Sequence, residues 1–231
     1  MKQLALDLST RPEPSFGNFV PGGNREALVA LQVLARGAGP ERFVYLWGAP
    51  GSGRSHLLRA VVREAADANR SATCLHAPVD ADAITAVRDD ELLALDDVER
   101  LDAAGQRALF GLFNRLRAGS GALVASGCAA PAMLSVRPDL ATRLAWGLVY
   151  EVHALSDAQK AAAVQSHARA RGFDLPSEVL NYLLRHAARD LPSLLALVEG
   201  LDRHSLEQRR AITVPLAREV LKLVSSGPET P

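Results

Sequence analysis

The chain has 231 residues, 48% of them hydrophobic, which is enough for one medium domain with a small second one and too apolar for general disorder. Its 26 basic and 26 acidic residues cancel, which excludes a DNA-binding surface that works through bulk charge and leaves only local basic patches. The opening MKQLALDLSTRPEP has too short an apolar run for a signal peptide, and no run of about 18 apolar residues offers a membrane span, so a cytoplasmic protein with no membrane partner is expected.

Residues 1–15 are poorly periodic and read as a flexible arm. NREALVALQVLAR (24–36) starts on an Asn cap and carries Leu28, Leu31 and Leu34 on a helical stripe. Gly37, Gly39 and Pro40 end that helix. RFVYLW (42–47) predicts a strand, and a glycine loop and a helix over HLLRAVVREAADA follow it. TCLHA (73–77), ELLALDD (91–97), ALVAS (122–126) and LVYEVHAL (148–155) are four more strand candidates. Between the middle pair lies a helix over roughly 103–118, apolar at Leu109, Leu112, Phe113 and Leu116. Strands alternating with helices predict an α/β domain over 16–155 with a mostly parallel sheet. From Ser156 the pattern becomes helical. SDAQ offers a capping box, and helices are expected over about 157–171, 177–188, 192–209 and 215–224, with AITV the one weak strand candidate. Residues 156–225 thus read as a small helical domain and 226–231 as a loose tail. Cys74 and Cys128 lie far apart, suit no metal spacing, and read as reduced thiols.

The loop GAPGSGRS fits the phosphate-binding pattern G-x-x-x-x-G-K-[ST] at every defined position but one, where Arg54 stands for Lys. A strand before it and a helix after it supply the required context. Gly48, Gly51 and Gly53, with Ser52 between them, let backbone N–H groups converge on an anion at a helix N-terminus. Ser55 is placed to ligate Mg²⁺. In ELLALDD, Asp96 would hold the same ion and Asp97 would sit where a water-activating carboxylate belongs. A chance glycine turn beside an acidic strand end is the bland alternative. Arg54 keeps the charge of Lys but spreads it over a planar fork, which favours holding nucleotide over hydrolysing it quickly.

These residues resemble a known family. GSGRSHLL, with His56 after the serine, is similar to the loop of the bacterial initiator DnaA. So are SFGNFVPGGNREAL (15–28), LALDDVERL (93–101), LFNRL (112–116) and TRLAWGL (142–148), in the same order through most of the chain. The match is to the AAA+ module of that family, and within it to the Hda branch of DnaA-related regulatory inactivators. The Arg in the phosphate loop is one shared feature. Another is that the chain stops after the helical lid near Val224, without the helix-turn-helix domain that reads origin DNA. A third is Gln3-Leu4-Ala5-Leu6-Asp7-Leu8, similar to peptides that dock on the replication sliding clamp.

The resemblance implies a P-loop AAA+ core with a helical lid that binds ADP or ATP with Mg²⁺ between core and lid. It implies docking of Gln3, Leu4, Leu6 and Leu8 on the sliding clamp (the β subunit of DNA polymerase III), with DNA met mainly through that clamp. It implies promotion of ATP hydrolysis in DnaA by Arg143, an arginine finger acting in trans. Phe19 and Val20 resemble the segment that packs on adenine, and Ser126 a sensor at a strand end. Two departures count against independent turnover. Gly127 stands where the family has an acidic sensor, and Pro192 stands where the lid carries a sensor Arg, with Arg189 three residues earlier. A self-sufficient AAA+ ATPase such as a helicase loader, a scaffold with a dead nucleotide site, and self-association all stay open.

Overall fold

The computed structural model describes residues 13–187 and 190–225. The chain divides into two compact units, one of Pro14–Ala154 and one that takes in the described residues from Leu155 onward. In the first, strands β1 (Phe43–Trp47), β2 (Ala72–His76), β3 (Leu92–Asp96), β4 (Ala122–Gly127) and β5 (Leu148–Glu151) form one sheet in the order β2-β3-β4-β1-β5. Every pairing is parallel. Helices α1 (Arg25–Arg36), α2 (Arg54–Asp67), α3 (Ala81–Thr85), α4 (Ala103–Ala118) and α5 (Pro138–Leu144) lie among the strands in the chain.

Alternation along the strands sorts the core into two layers. Tyr45, Leu93, Leu95, Leu123 and Ala125 face Leu109, Leu112, Phe113 and Leu116 of α4 and Leu140 of α5. Val44, Leu46, Leu92, Ala94 and Val124 face Leu31 and Leu34 of α1 and Leu57, Leu58 and Val61 of α2. β3 and β4 are buried at every position, as expected of strands covered on both sides.

Two expectations in this unit change. Asn24 precedes α1, but its side chain makes no cap hydrogen bond. Its amide N–H instead donates to the His153 carbonyl at 2.9 Å, and its carbonyl accepts from the His153 N–H at 2.8 Å. That clamp also explains why β5 is shorter than LVYEVHAL. Val152 N–H still donates to Trp47 O, and His153 is then taken by Asn24 in place of a strand partner. The short helices α3 and α5 carry too few apolar repeats to be read from pattern alone.

The second unit contains α6 (Asp157–Ala170), α7 (Ser177–His186), α8 (Leu191–Gln208) and α9 (Val214–Ser225) around a core that includes Val164, Val179, Leu183, Leu194, Val198, Leu201 and Leu216. The Ser156–Gln159 capping box forms in both directions. Asp190 caps α8 by accepting from Ser193 N–H at 2.9 Å, which puts Pro192 in the first turn, where its missing N–H costs nothing. AITV is not a strand. Residues 211–213 are irregular, and Ala217 N–H already donates to Thr213 O as α9 begins. Among the described residues no helix is long and apolar enough to cross a membrane.

Guanidinium groups close two helix ends. Arg42 Nη1 donates to the carbonyls of Leu116, Gly119 and Gly121 and Nη2 to that of Arg117, covering the last turn of α4. Arg70 Nη1 donates to Leu34 O and Ala35 O at the end of α1. Both satisfy carbonyls that the helix leaves orphaned and place positive charge at the negative end of the dipole. Arg42→Ala should lower the stability of this unit by about 2 kcal/mol, the scale of one or two charge-assisted hydrogen bonds at a half-exposed position. Urea unfolding followed by circular dichroism measures it.

Candidate functional site

The parallel register brings the sequence-predicted residues to one edge of the sheet. β1 ends at Trp47 and opens into the glycine loop, β3 ends at Asp96, and β4 pairs with β1 so that Ser126 lies opposite Leu46. Gly53 sits at φ 105°, a backbone region that disfavours side chains, and a Cβ there would come 2.9 Å from the Phe19 ring. A Cβ on Gly48 would come 2.4 Å from Val152 O, so the first loop glycine is required by the close passage of the chain after β5. Ser55 and His56 follow in the first turn of α2.

Asp96 is 4% exposed and Ser126 is fully buried. The Ser126 hydroxyl donates to Asp96 Oδ1 and accepts from the Asp97 N–H at 3.2 Å. His76 Nδ1 lies 3.3 Å from Asp96 Oδ2. Burial pushes the Asp96 carboxyl upward, but hydrogen bonds from Ser126 and Ser55 and the charge of His76 outweigh it and leave Asp96 below its ordinary value. Asp97 moves the other way. Burial and the Asp96 carboxylate raise it, and Arg54 offsets only part of the rise. Its neighbour Asp96 is thus kept ionised, with Ser55 as a second hard oxygen donor. That pair suits Mg²⁺.

Arg54 begins α2 with its side chain 10% exposed. Its Nη2 lies 3.4 Å from Asp97 Oδ1. Arg54 Nη1 and Ser52 Oγ are buried without a hydrogen-bond partner among the described residues. Unsatisfied donors in a glycine loop at a helix N-terminus are what an oxyanion such as phosphate would complete. The residues present therefore fit a nucleotide's phosphates and a hard divalent cation. Phe19 stacks obliquely on His56, with ring centroids 5.5 Å apart, and Val20 beside it is half-buried. His56 Nε2–H donates to Ser15 O at 2.9 Å, and burial lowers its pKa below the ordinary 6.5.

Arg143 is not part of this cluster. It lies in α5 with its guanidinium 5.4 Å from the Phe110 ring, 5.6 Å from Phe113 and 5.4 Å from Trp146. Phe113 in turn packs on Phe43, the first residue of β1. The glycine loop follows the last residue of that strand, so Arg143 sits toward the opposite edge of the sheet, about a strand length away. Arg189 and the arm residues Gln3, Leu4, Leu6 and Leu8 lie outside the described residues.

Sequence reading missed His76, Arg59 and Glu99. His76 and Arg59, with Ser55, Leu58, Cys74, Leu75 and Asp96, line a pocket of about 390 Å³ between α2 and the ends of β2 and β3. His76 is opposite Asp96 in register, a signal available only once β2 is known to neighbour β3. The Cβ that Gly127 lacks would meet the Tyr45 hydroxyl first and then Glu99 Oε2 at 2.9 Å, and Glu99 Oε1 accepts from Cys128 N–H at 3.0 Å. The Tyr45 hydroxyl and a carboxylate from the turn after β3 thus fill the space beside Gly127.

Residues 157–221 match the family model of the Hda lid domain. Across the chain the fold is similar to domain III of the replication initiation protein DnaA from Thermotoga maritima. That likeness has a TM-score of 0.72 at 22% identity and covers 91% of this chain and 96% of that one. The AMPPCP-bound DnaA of Aquifex aeolicus is similar at a TM-score of 0.67 and 24% identity, over 86% of this chain and 70% of that one. A RuvB variant from Thermotoga maritima is similar at 0.67 and 15% identity, over 92% and 72%. The fold is that of a P-loop AAA+ core with a small helical lid domain. The family-model match covers the lid residues 157–221, and the structural likenesses show the fold.

His56 yields a prediction about stability. Its folded pKa is depressed, so its contribution is fully present above about pH 6.5 and is lost as pH falls through the folded value. Melting temperature should fall on acidification from pH 7.5 to 5. His56→Gln, which keeps a donor for Ser15 O and cannot charge, should show a smaller fall.

Proposed function

We propose that this chain is an Hda-like regulator of replication initiation. It binds adenine nucleotide at the glycine loop, docks by its N-terminal arm on the sliding clamp, and promotes ATP hydrolysis in DnaA. What carries the reading is Arg143. Its guanidinium rests on three aromatic rings, pairs with no carboxylate among the described residues, and lies toward the sheet edge away from its own glycine loop. An arginine so held is useless to its own phosphates and well presented to a neighbour's. The likeness of the lid to that of Hda supports the partner choice, and the AMPPCP held by a DnaA of the same fold supports nucleotide as the ligand. Mg²⁺ would be held by Ser55 and Asp96. Gly127 and Pro192 argue for weak turnover by the chain alone, with ADP as its resident ligand.

The sites separate cleanly by mutation. Arg54→Ala should weaken ADP binding in calorimetry by roughly tenfold to a hundredfold, the worth of charge-assisted hydrogen bonds to phosphate. Gln3→Ala with Leu4→Ala should abolish clamp pull-down and leave the melting temperature unchanged. Arg143→Ala should keep both kinds of binding and lose stimulation of DnaA on loaded clamp. Where a finger completes a site its loss costs about 10³–10⁵ in rate, and an accessory factor should fall at or below the low end. Strong ATP turnover by the wild-type chain alone, lost in Arg143→Ala, would mean a self-assembling ATPase instead.

A further inference from the structure

We infer that Asp97 is a positioning residue for Arg54: it pins one arm of the guanidinium so that the other is left to the phosphates of a bound nucleotide. The inference rests on the nucleotide-binding reading above. It reassigns a carboxylate whose place in the sequence suggests a general base.

Three observations carry it. First, Arg54 is held on one side only. Nη2 is 3.4 Å from Asp97 Oδ1, while Nη1 is buried with no acceptor among the described residues, in a side chain 10% exposed. A guanidinium is rigid and planar, so fixing one nitrogen fixes the direction of the other. A Lys ammonium has three donors but no rigid fork, so a contact with Asp97 would not fix the direction of the rest. Second, Asp97 is itself fixed from behind. Its backbone is left-handed at φ 56° and ψ 54°, a conformation Asp tolerates better than most residues, and its N–H donates to Ser126 Oγ at 3.2 Å. Third, its other oxygen is taken up elsewhere. Arg100 Nη1 lies 3.8 Å and His76 Nε2 4.0 Å from Oδ2, which leaves Oδ1 to Arg54.

The opposing effect is plain. A carboxylate close to phosphates repels them, so its removal should tighten binding if repulsion wins. Positioning predicts the opposite sign, and nucleotide affinity decides between them. The experiment is calorimetry of ADP binding to the full chain in EDTA, so that metal coordination does not enter. Asp97→Ala is expected to weaken binding about tenfold, the scale of one charge-assisted hydrogen bond. Asp97→Asn keeps the oxygen acceptor and the shape, and should stay within about threefold of wild type on the same scale. In an Arg54→Ala background Asp97→Ala should cost nothing further, because the only route of its effect is gone. Unchanged or tighter binding by Asp97→Ala overturns the inference while leaving the pocket intact. A loss that persists without Arg54 does the same. No ADP binding by the folded wild type overturns the pocket reading and this inference with it.

Discussion

The arrangement of this molecule depends on strict parallelism in the central sheet. Because β1, β3 and β4 all run the same way, their C-terminal ends share one edge, and the groups of the glycine-loop site leave the sheet there. The glycine loop departs from β1, Asp96 and Asp97 close β3, and Ser126 stands near the end of β4. One antiparallel strand would send its polar end to the far side. The buried Ser126 hydroxyl ties the end of β4 to the end of β3 by bridging the Asp96 carboxylate and the Asp97 backbone. A fully buried hydroxyl needs such partners, so the same contact that satisfies Ser126 also sets the two carboxylates in place.

Two adjacent aspartates then acquire opposite properties. Asp96 is more deeply buried, yet it is held below its ordinary pKa by the hydroxyls and the imidazole around it. Asp97 is less buried, yet burial and the carboxylates of Asp96 and Glu99 raise it, and Arg54 offsets only part of the rise. Burial alone would have ordered them the other way. What decides is whether the surroundings donate to the charged form or repel it. The first aspartate is thereby suited to a cation and the second to an arginine. The pair therefore makes two sites.

Much of this was legible in the sequence, for physical reasons that differ between its parts. Short apolar runs such as ALVAS and LLALD announce buried parallel strands, and the loop GAPGSGRS announces itself through glycines that the backbone geometry demands. Helix caps with a reciprocal partner three residues on, as in SDAQ, were equally plain. What was hidden depends on contacts across the chain. Asn24 looks like a cap from its neighbours, and only the arrival of His153 beside it, 129 residues later, gives its amide a better use. His76 looked like the polar end of a strand until β3 was seen to lie next to β2. Glu99 was invisible as a site residue because its relevance lies in the space beside Gly127, a property of shape.

The arginines show how such a site can be distinguished from scaffolding without knowing the ligand. Arg42 and Arg70 spend their N–H groups on helix carbonyls, and Arg36 and Arg137 spend theirs on Glu64 and Asp139. Each has an acceptor set that uses the charge within the fold. Arg143 has ring faces instead, which attract the cation by about 0.5–1 kcal/mol where exposed and leave its in-plane donors unspent among the described residues. Ring packing fixes the position of the guanidinium without consuming its hydrogen bonds. A salt bridge would fix it by consuming them, and a partner's phosphate would first have to displace the carboxylate. Under the proposed function such a mount would leave Arg143 free for an anion outside its own chain, and Trp146, half exposed beside it, keeps the holding surface open to solvent.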